Sequence, residues 1–312
     1  MAAFGKANFI WLNGKLVPWD AAQVHITAHG LHYGTGVFEG MRAYDTADGP
    51  AIFRLEPHMR RMVQSAEAYE MTLPFSVEAM CDASVEVVRA NELKNAYLRP
   101  LAFYDSHTFH VAPRGSPVSV AIIAIPGRAY VAGGVEKGLR VKLSSIQRID
   151  SASLPPWVKA SGHYTNSVRA LQQAHKAGFD DAILLNAKGD VAEGSGANLF
   201  LVKGDKVITN DRDASIVMGI TRDSVITIAK DLGIPVQIRP MSVDDLREAD
   251  EVFYSGTAVE VTPITQLDDH TYGDGKPGAI TRRIQQTYFD TVHGKVARYE
   301  SWLTVVKAAV GV

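Results

Sequence analysis

Hydrophobic positions in this chain recur with two periods, and the alternation of the two lays out its elements. Asn8 to Trp11 and Lys15 to Trp19 are short apolar runs joined by Leu12-Asn13-Gly14, and Asn-Gly between such runs predicts a hairpin. Pro57 suits the first turn of a helix reaching about Met71, because Met59, Met62, Val63, Ala66 and Tyr69 recur at helical spacing. Ser76 is placed to cap a second helix running to about Glu92. Two strand-like runs follow, Ala96 to Tyr104 and Val118 to Ile125. Strands, two helices and then strands describe a small α+β domain.

Pro126-Gly127 and Gly133-Gly134 bracket a stretch of weak periodicity, which predicts a linker over 127–138 between a domain at 1–126 and a second at 139–312. In the second half the pattern alternates. Leu139 to Leu143 and Ala182 to Leu185 read as strands, with a helix from about Asn166 to Lys176 between them. Ala197 to Val202 and Lys206 to Thr209 form a hairpin around Gly204-Asp205. A helix from Thr221 to Leu232, a strand from Val236 to Ile238 and a short helix follow, the last capped by Ser242 with Asp245 at capping-box spacing. The strand Glu251 to Tyr254, an apolar patch at Val259 to Val261 and a helix from Gly278 to about His293 complete an α/β pattern.

Composition narrows the function classes. With 312 residues and 46% apolar content the chain can bury two domain-sized cores. Its formal charge of -2 is spread over mixed residues without a basic block or acidic tail, which points away from nucleic acid and membrane and toward a small-molecule substrate. Cys81 is the single cysteine, so an intrachain disulfide is excluded and a reducing compartment fits. No apolar run is long enough to span a bilayer and the first 20 residues lack a signal pattern, so the expected location is cytoplasmic.

Five constellations carry candidate chemistry. Lys159 follows the turn signal Pro155-Pro156, lies among apolar and small residues, and has no acidic residue within five positions on either side. A lysine desolvated in such surroundings becomes a nucleophile able to form a Schiff base. Gly219-Ile220-Thr221 stands before an amphipathic helix and Ser255-Gly256-Thr257 follows a strand, and both offer amides and a hydroxyl to a phosphate. Neither has Walker or dinucleotide-fingerprint spacing. His25, His29 and His32 have metal-ligand spacing on a helix, but Gly30, Gly34 and Gly36 disfavour one and no acid lies between Asp20 and Glu39, so no metal is expected. Glu193, ahead of Gly194 and Gly196, reads either as a turn residue at a hairpin mouth or as a carboxylate holding a charged nitrogen.

These parts come in a familiar order. Lys159 with Tyr164, the run Glu193-Gly194-Ser195-Gly196-Ala197-Asn198-Leu199-Phe200, Gly219-Ile220-Thr221-Arg222 and Ser255-Gly256-Thr257-Ala258 resemble the fold type IV pyridoxal-phosphate enzymes. With His32-Tyr33-Gly34-Thr35, Val37-Phe38-Glu39-Gly40-Met41-Arg42 and Ala96-Tyr97-Leu98-Arg99-Pro100, the chain is similar to bacterial branched-chain amino acid aminotransferases from about Phe9 to Tyr288. The resemblance implies a small N-terminal α+β domain and a larger C-terminal pseudo-barrel α/β domain. It implies pyridoxal 5'-phosphate carried on Lys159, the catalytic residue, with Tyr164 on the phenolic oxygen and Glu193 on the pyridine nitrogen. Arg61, preferred to Arg60 because it stands three after His58, would join the Ile220 and Thr221 amides and the Thr257 hydroxyl around the phosphate.

Ping-pong transamination between L-leucine, isoleucine or valine and 2-oxoglutarate is the implied reaction. Tyr33, Phe38, Tyr130 and Tyr164 would wall the side chain, with Val111 reaching in from a neighbouring subunit of at least a homodimer. Tyr97 and the Thr257 and Ala258 amides would hold the α-carboxylate, and Arg99 the distal carboxylate of glutamate. Gly127-Arg128-Ala129-Tyr130 and the loop Asp105 to Ser116, with His107, His110 and Arg114, depart from the enterobacterial pattern. They leave (R)-amine or D-amino acid transamination as the alternative on the same fold.

Overall fold

The computed structural model describes residues 5–127 and 134–307. Its contacts divide the chain into two compact units, one of Met1–Ala129, Val158–Gly162 and Asp290–Val312, the other of Tyr130–Trp157 and His163–Phe289. A boundary at 127–138 alone therefore differs from the contact pattern. Backbone pairing is the reason: Ala160 bridges to Val37, and Leu303–Val305 pairs with Ala51 to Phe53, so both stretches fold with the first unit.

The first unit is built on an eight-stranded sheet in the order Leu303–Val305, Gly49–Phe53, Met41–Thr46, Ala96–Tyr104, Val118–Pro126, Phe9–Leu12, Lys15–Pro18, with Gly36–Phe38 paired to Ala96–Tyr104. All its neighbours are antiparallel. The Asn-Gly hairpin forms as expected, with Asn13 at φ 49° and Gly14 at φ 93°, the left-handed pair such a turn requires. Helices Leu55–Glu67 and Val77–Ala90 carry the expected apolar faces, burying Met59, Met62 and Ala66 on one and Met80, Ala83 and Val87 on the other. Ser76 caps the second, its hydroxyl accepting from the Ala79 amide at 3.2 Å. Strands Gly36–Phe38, Met41–Thr46 and Gly49–Phe53 were not expected from the pattern. Arg42 and Glu39 interrupt their apolar runs, and both charges are buried.

The second unit holds a nine-stranded sheet ordered Val191–Gly194, Asp181–Leu185, Leu139–Leu143, Glu260–Leu267, Glu251–Gly256, Asn198–Lys203, Lys206–Thr209, Val236–Ile238, with His270–Thr271 on Glu260–Leu267. Leu139–Leu143 runs parallel to both its neighbours, and Val236–Ile238 parallel to Lys206–Thr209. Parallel neighbours need crossovers, and helices Tyr164–Lys176 and Ile220–Asp231 supply two of them. Val141, Ile183, Leu199, Leu201, Val252, Tyr254 and Ile264 form the core of this sheet. The α/β class is thus the one the alternating pattern predicts.

Candidate active site

In the first unit Lys159 is held by its backbone. Its carbonyl accepts from the Phe38 amide at 3.0 Å, and its amide donates to the Ser65 hydroxyl at 3.3 Å. Its ammonium stands 5.1 Å from the centroid of the Phe38 ring. On the same ring lies Arg99, whose guanidinium is 4.7 Å from the centroid, and Arg99 Nη2 donates to the Tyr97 hydroxyl at 2.8 Å. The buried Arg99 Nε has no hydrogen-bond partner among the described residues. A buried donor left open in this way is suited to an incoming anion. Gly40 is required where it stands, because a Cβ there would run into the Tyr97 hydroxyl.

Arg61 lies on helix Leu55–Glu67 and faces a carboxylate. Its Nε donates to Glu39 Oε1 at 2.7 Å and its Nη2 to Glu39 Oε2 at 2.8 Å. His58 Nδ1 meets the same Oε2 at 2.7 Å. Glu39 is wholly buried and held far below the usual carboxylate range: burial alone would raise it, and the charges of Arg61 and His58 with their hydrogen bonds outweigh that. Burial lowers the His58 imidazole from its ordinary value.

In the second unit Glu193 is the centre of a hydrogen-bonded group. It lies within the strand Val191–Gly194, 6% exposed, so it is a buried strand residue rather than a turn residue at a hairpin mouth. Arg148 Nε donates to Glu193 Oε1 at 2.9 Å, while Asn198 Nδ2 at 3.1 Å and the Val217 amide at 3.2 Å donate to Oε2. Three such donors fix the orientation of the carboxylate, whose oxygens can also accept from a protonated ring nitrogen. Arg148 is itself fixed by the Asn166 side chain at 3.4 Å and the Pro156 carbonyl at 3.3 Å.

Helix Ile220–Asp231 begins at Gly219 without a side-chain cap, so the Ile220 and Thr221 amides and the buried Thr221 side chain open an anion-binding end. A Cβ at Gly219 would overlap Asn198 Oδ1, so this start of the helix needs glycine beside the Glu193 network. Thr257 and Ala258 sit in the turn between Glu251–Gly256 and Glu260–Leu267, both half-buried. Tyr164 opens helix Tyr164–Lys176 and is half-buried. Taken unit by unit, the chemistry fits a phosphorylated pyridine: the first unit offers a lysine amine and a guanidinium, and the second a buried carboxylate and an uncapped helix start.

Other sequence-based candidates make different contacts. Tyr33 is 42% and Val111 78% exposed in the first unit, with the Tyr33 hydroxyl donating to the Phe109 carbonyl at 2.7 Å. His25 bonds Thr27, His29 bonds Thr35 and the His110 carbonyl, and His32 bonds the Ile26 carbonyl. The imidazoles thus hold a loop together. Tyr130 and Arg128 lie outside the described residues. Glu39, His58, Arg148 and Asn198 carried no role in the sequence reading. A charge inside an apolar run was the available signal for Glu39; nothing local marks Arg148.

The chain was compared with known proteins. Residues 36–267 match the family model described as amino-transferase class IV. This chain belongs to that family. It is 40% identical to the branched-chain-amino-acid aminotransferase of Escherichia coli K12, with 96% of this chain and 98% of that protein covered. Two crystal structures of the T.th. branched-chain amino acid aminotransferase, one with pyridoxamine 5'-phosphate and one with N-(5'-phosphopyridoxyl)-L-glutamate, superpose with TM-scores of 0.94 and 0.93. Each is 44% identical, covering 97% of this chain and 100% of the other. The class IV chain is therefore a fold type IV α/β protein.

Proposed function

We infer that this class IV aminotransferase catalyses transamination between L-branched-chain amino acids and 2-oxoglutarate, with pyridoxal 5'-phosphate as cofactor. Near full-length likeness to branched-chain enzymes, one of them solved with pyridoxamine phosphate and with a phosphopyridoxyl group, is the observation that carries the reading. When bound, the cofactor supplies a reactive aldehyde and a ring that accepts electrons.

This chain's residues do the rest. Lys159 would hold the cofactor through its Nζ, and the same amine would take the proton from the amino acid Cα and deliver it to the cofactor carbon rather than back to Cα. Its placement over Phe38 supports that role. Glu193 would meet the ring nitrogen, and its three donors support this by fixing the carboxylate. Tyr164 would donate to the phenolic oxygen. Arg61, the Ile220 and Thr221 amides and the Thr257 hydroxyl would hold the phosphate.

The reaction needs an apolar side chain and a second carboxylate to be received in turn. Phe38, Tyr33 and Tyr164 would face the apolar side chain, with Val111 from a second copy. Tyr97 and the Thr257 and Ala258 amides hold the α-carboxylate, and Arg99 takes the distal one, which the open Nε supports. Exposure of Ile26, Leu31, Phe109 and Val111 in the first unit supports a homo-oligomer of at least two copies. No helix among the described residues is long and apolar enough to cross a membrane, and the single cysteine supports a cytoplasmic setting.

A half-reaction assay tests the reading. L-leucine and L-glutamate should bleach the yellow band of the holoenzyme, and Lys159→Ala should abolish both the band's shift and turnover. Faster bleaching by D-alanine or (R)-1-phenylethylamine would move the assignment to the D-amino acid or amine class.

A further inference from the structure

Glu39 and His58 stand outside every role assigned so far. Glu39 follows directly on Phe38 and donates its amide to the Pro100 carbonyl at 2.9 Å, so its backbone is fixed by the sheet. Its carboxylate accepts from Arg61 Nε at 2.7 Å, Arg61 Nη2 at 2.8 Å, His58 Nδ1 at 2.7 Å and the Gly40 amide at 3.3 Å. The carboxylate is 0% exposed, the imidazole 2% and the arginine side chain 14%.

An acid so buried is costly, and a bidentate contact fixes the plane of a guanidinium as well as its charge. Glu39 grips the Nε–Nη2 edge of Arg61, which sets the direction of the opposite, Nη1-bearing edge. His58, one helical turn before Arg61 on the helix Leu55–Glu67, shares Glu39 Oε2 with Arg61 Nη2 and adds a further restraint on the carboxylate. Phe38 lies under the Lys159 ammonium, so two consecutive residues set the lysine and the arginine.

We infer that Glu39, backed by His58, is the positioning residue for the phosphate arginine: it pre-orients Arg61 so that the guanidinium meets the cofactor's phosphate without first losing rotamer freedom. The inference rests on the proposed assignment of Arg61 to the phosphate. A preset donor binds more tightly because the ordering cost is met by folding. The effect belongs to the phosphate alone, and that separates positioning from general support of the fold.

The experiment measures dissociation constants of pyridoxal phosphate and of pyridoxal, which lacks the phosphate, for the full-length apo chain. Wild type, Glu39→Gln, Glu39→Asp, Arg61→Met and the Glu39→Gln/Arg61→Met double variant are compared by tryptophan quenching. Glu39→Asp keeps the charge while withdrawing it by one methylene, and it carries the test if the glutamine variant does not fold. Expected are losses of about tenfold or more for pyridoxal phosphate in the Glu39 variants, less than about twofold for pyridoxal, and no added loss in the double variant over Arg61→Met. Equal losses for both ligands, or an undiminished preference for the phosphorylated one, would overturn the inference. If Arg61→Met keeps the wild-type preference, the phosphate assignment falls and this inference with it; if wild type binds neither ligand, the functional reading itself fails.

Discussion

Two buried acids show how one side-chain type is tuned to different tasks. Glu39 is shared by Arg61 and His58, whereas Glu193 is braced by Arg148, Asn198 and a backbone amide. Arg148→Met takes away the cation that meets Glu193 Oε1. The expected outcome is a stability loss of about 3–5 kcal/mol in urea unfolding, the usual consequence of removing one half of a buried ion pair. The first trio also sets a pH dependence. Glu39 and His58 both titrate below their ordinary values of 4.5 and 6.5, so the unfolded chain binds protons more readily than the folded one. Stability is then full above those values and falls with acid: the His58 contribution fades first, below 6.5, and the Glu39 contribution below 4.5. Glu39, Arg61 and Lys159 are the charged groups acting on His58. His58→Asn, which keeps a donor without a titrating ring, should flatten the loss of unfolding midpoint between about pH 7 and pH 5. An unchanged slope would mean that another histidine is responsible.

At the scale of single elements, the start of helix Ile220–Asp231 is the sharpest constraint. Gly219→Ala drives a methyl into the Asn198 amide, which also serves Glu193. We expect a cost of about 1–3 kcal/mol from this overpacking, with weaker retention of pyridoxal phosphate on dialysis. Ser76→Ala tests the start of helix Val77–Ala90 in the first unit: losing its bond to the Ala79 amide should cost about 1 kcal/mol with kcat unchanged. Most elements were legible in the chain. The strands Ala96–Tyr104 and Leu139–Leu143, the Ser242 capping box and the Asn13-Gly14 turn all stand where periodicity and local chemistry put them. Met41–Thr46 and Gly49–Phe53 were hidden, because a buried arginine and a polar turn break the alternation on which a strand is recognised.

For the molecule as a whole, exposed apolar surface bears on assembly. Ile26, Leu31, Phe109 and Val111 are 62–78% exposed, an apolar set that a lone copy leaves in water. If a second copy covers it, Val111→Asp should shift light scattering toward the monomer and lower the leucine half-reaction in parallel. A monomeric variant with full activity would separate the two.

The chain by itself determined most of the elements, the α/β class and the small-residue turns, because periodicity, caps and turn residues act over a few positions and leave a local trace. It could not determine which charge meets which. Glu39 is 22 residues from Arg61 and Glu193 is 45 from Arg148, separations that carry no spacing signal. Those pairings exist because strands and helices, each packed for its own apolar face, bring buried ions within hydrogen-bond reach, where low dielectric makes any unpaired charge too costly to keep.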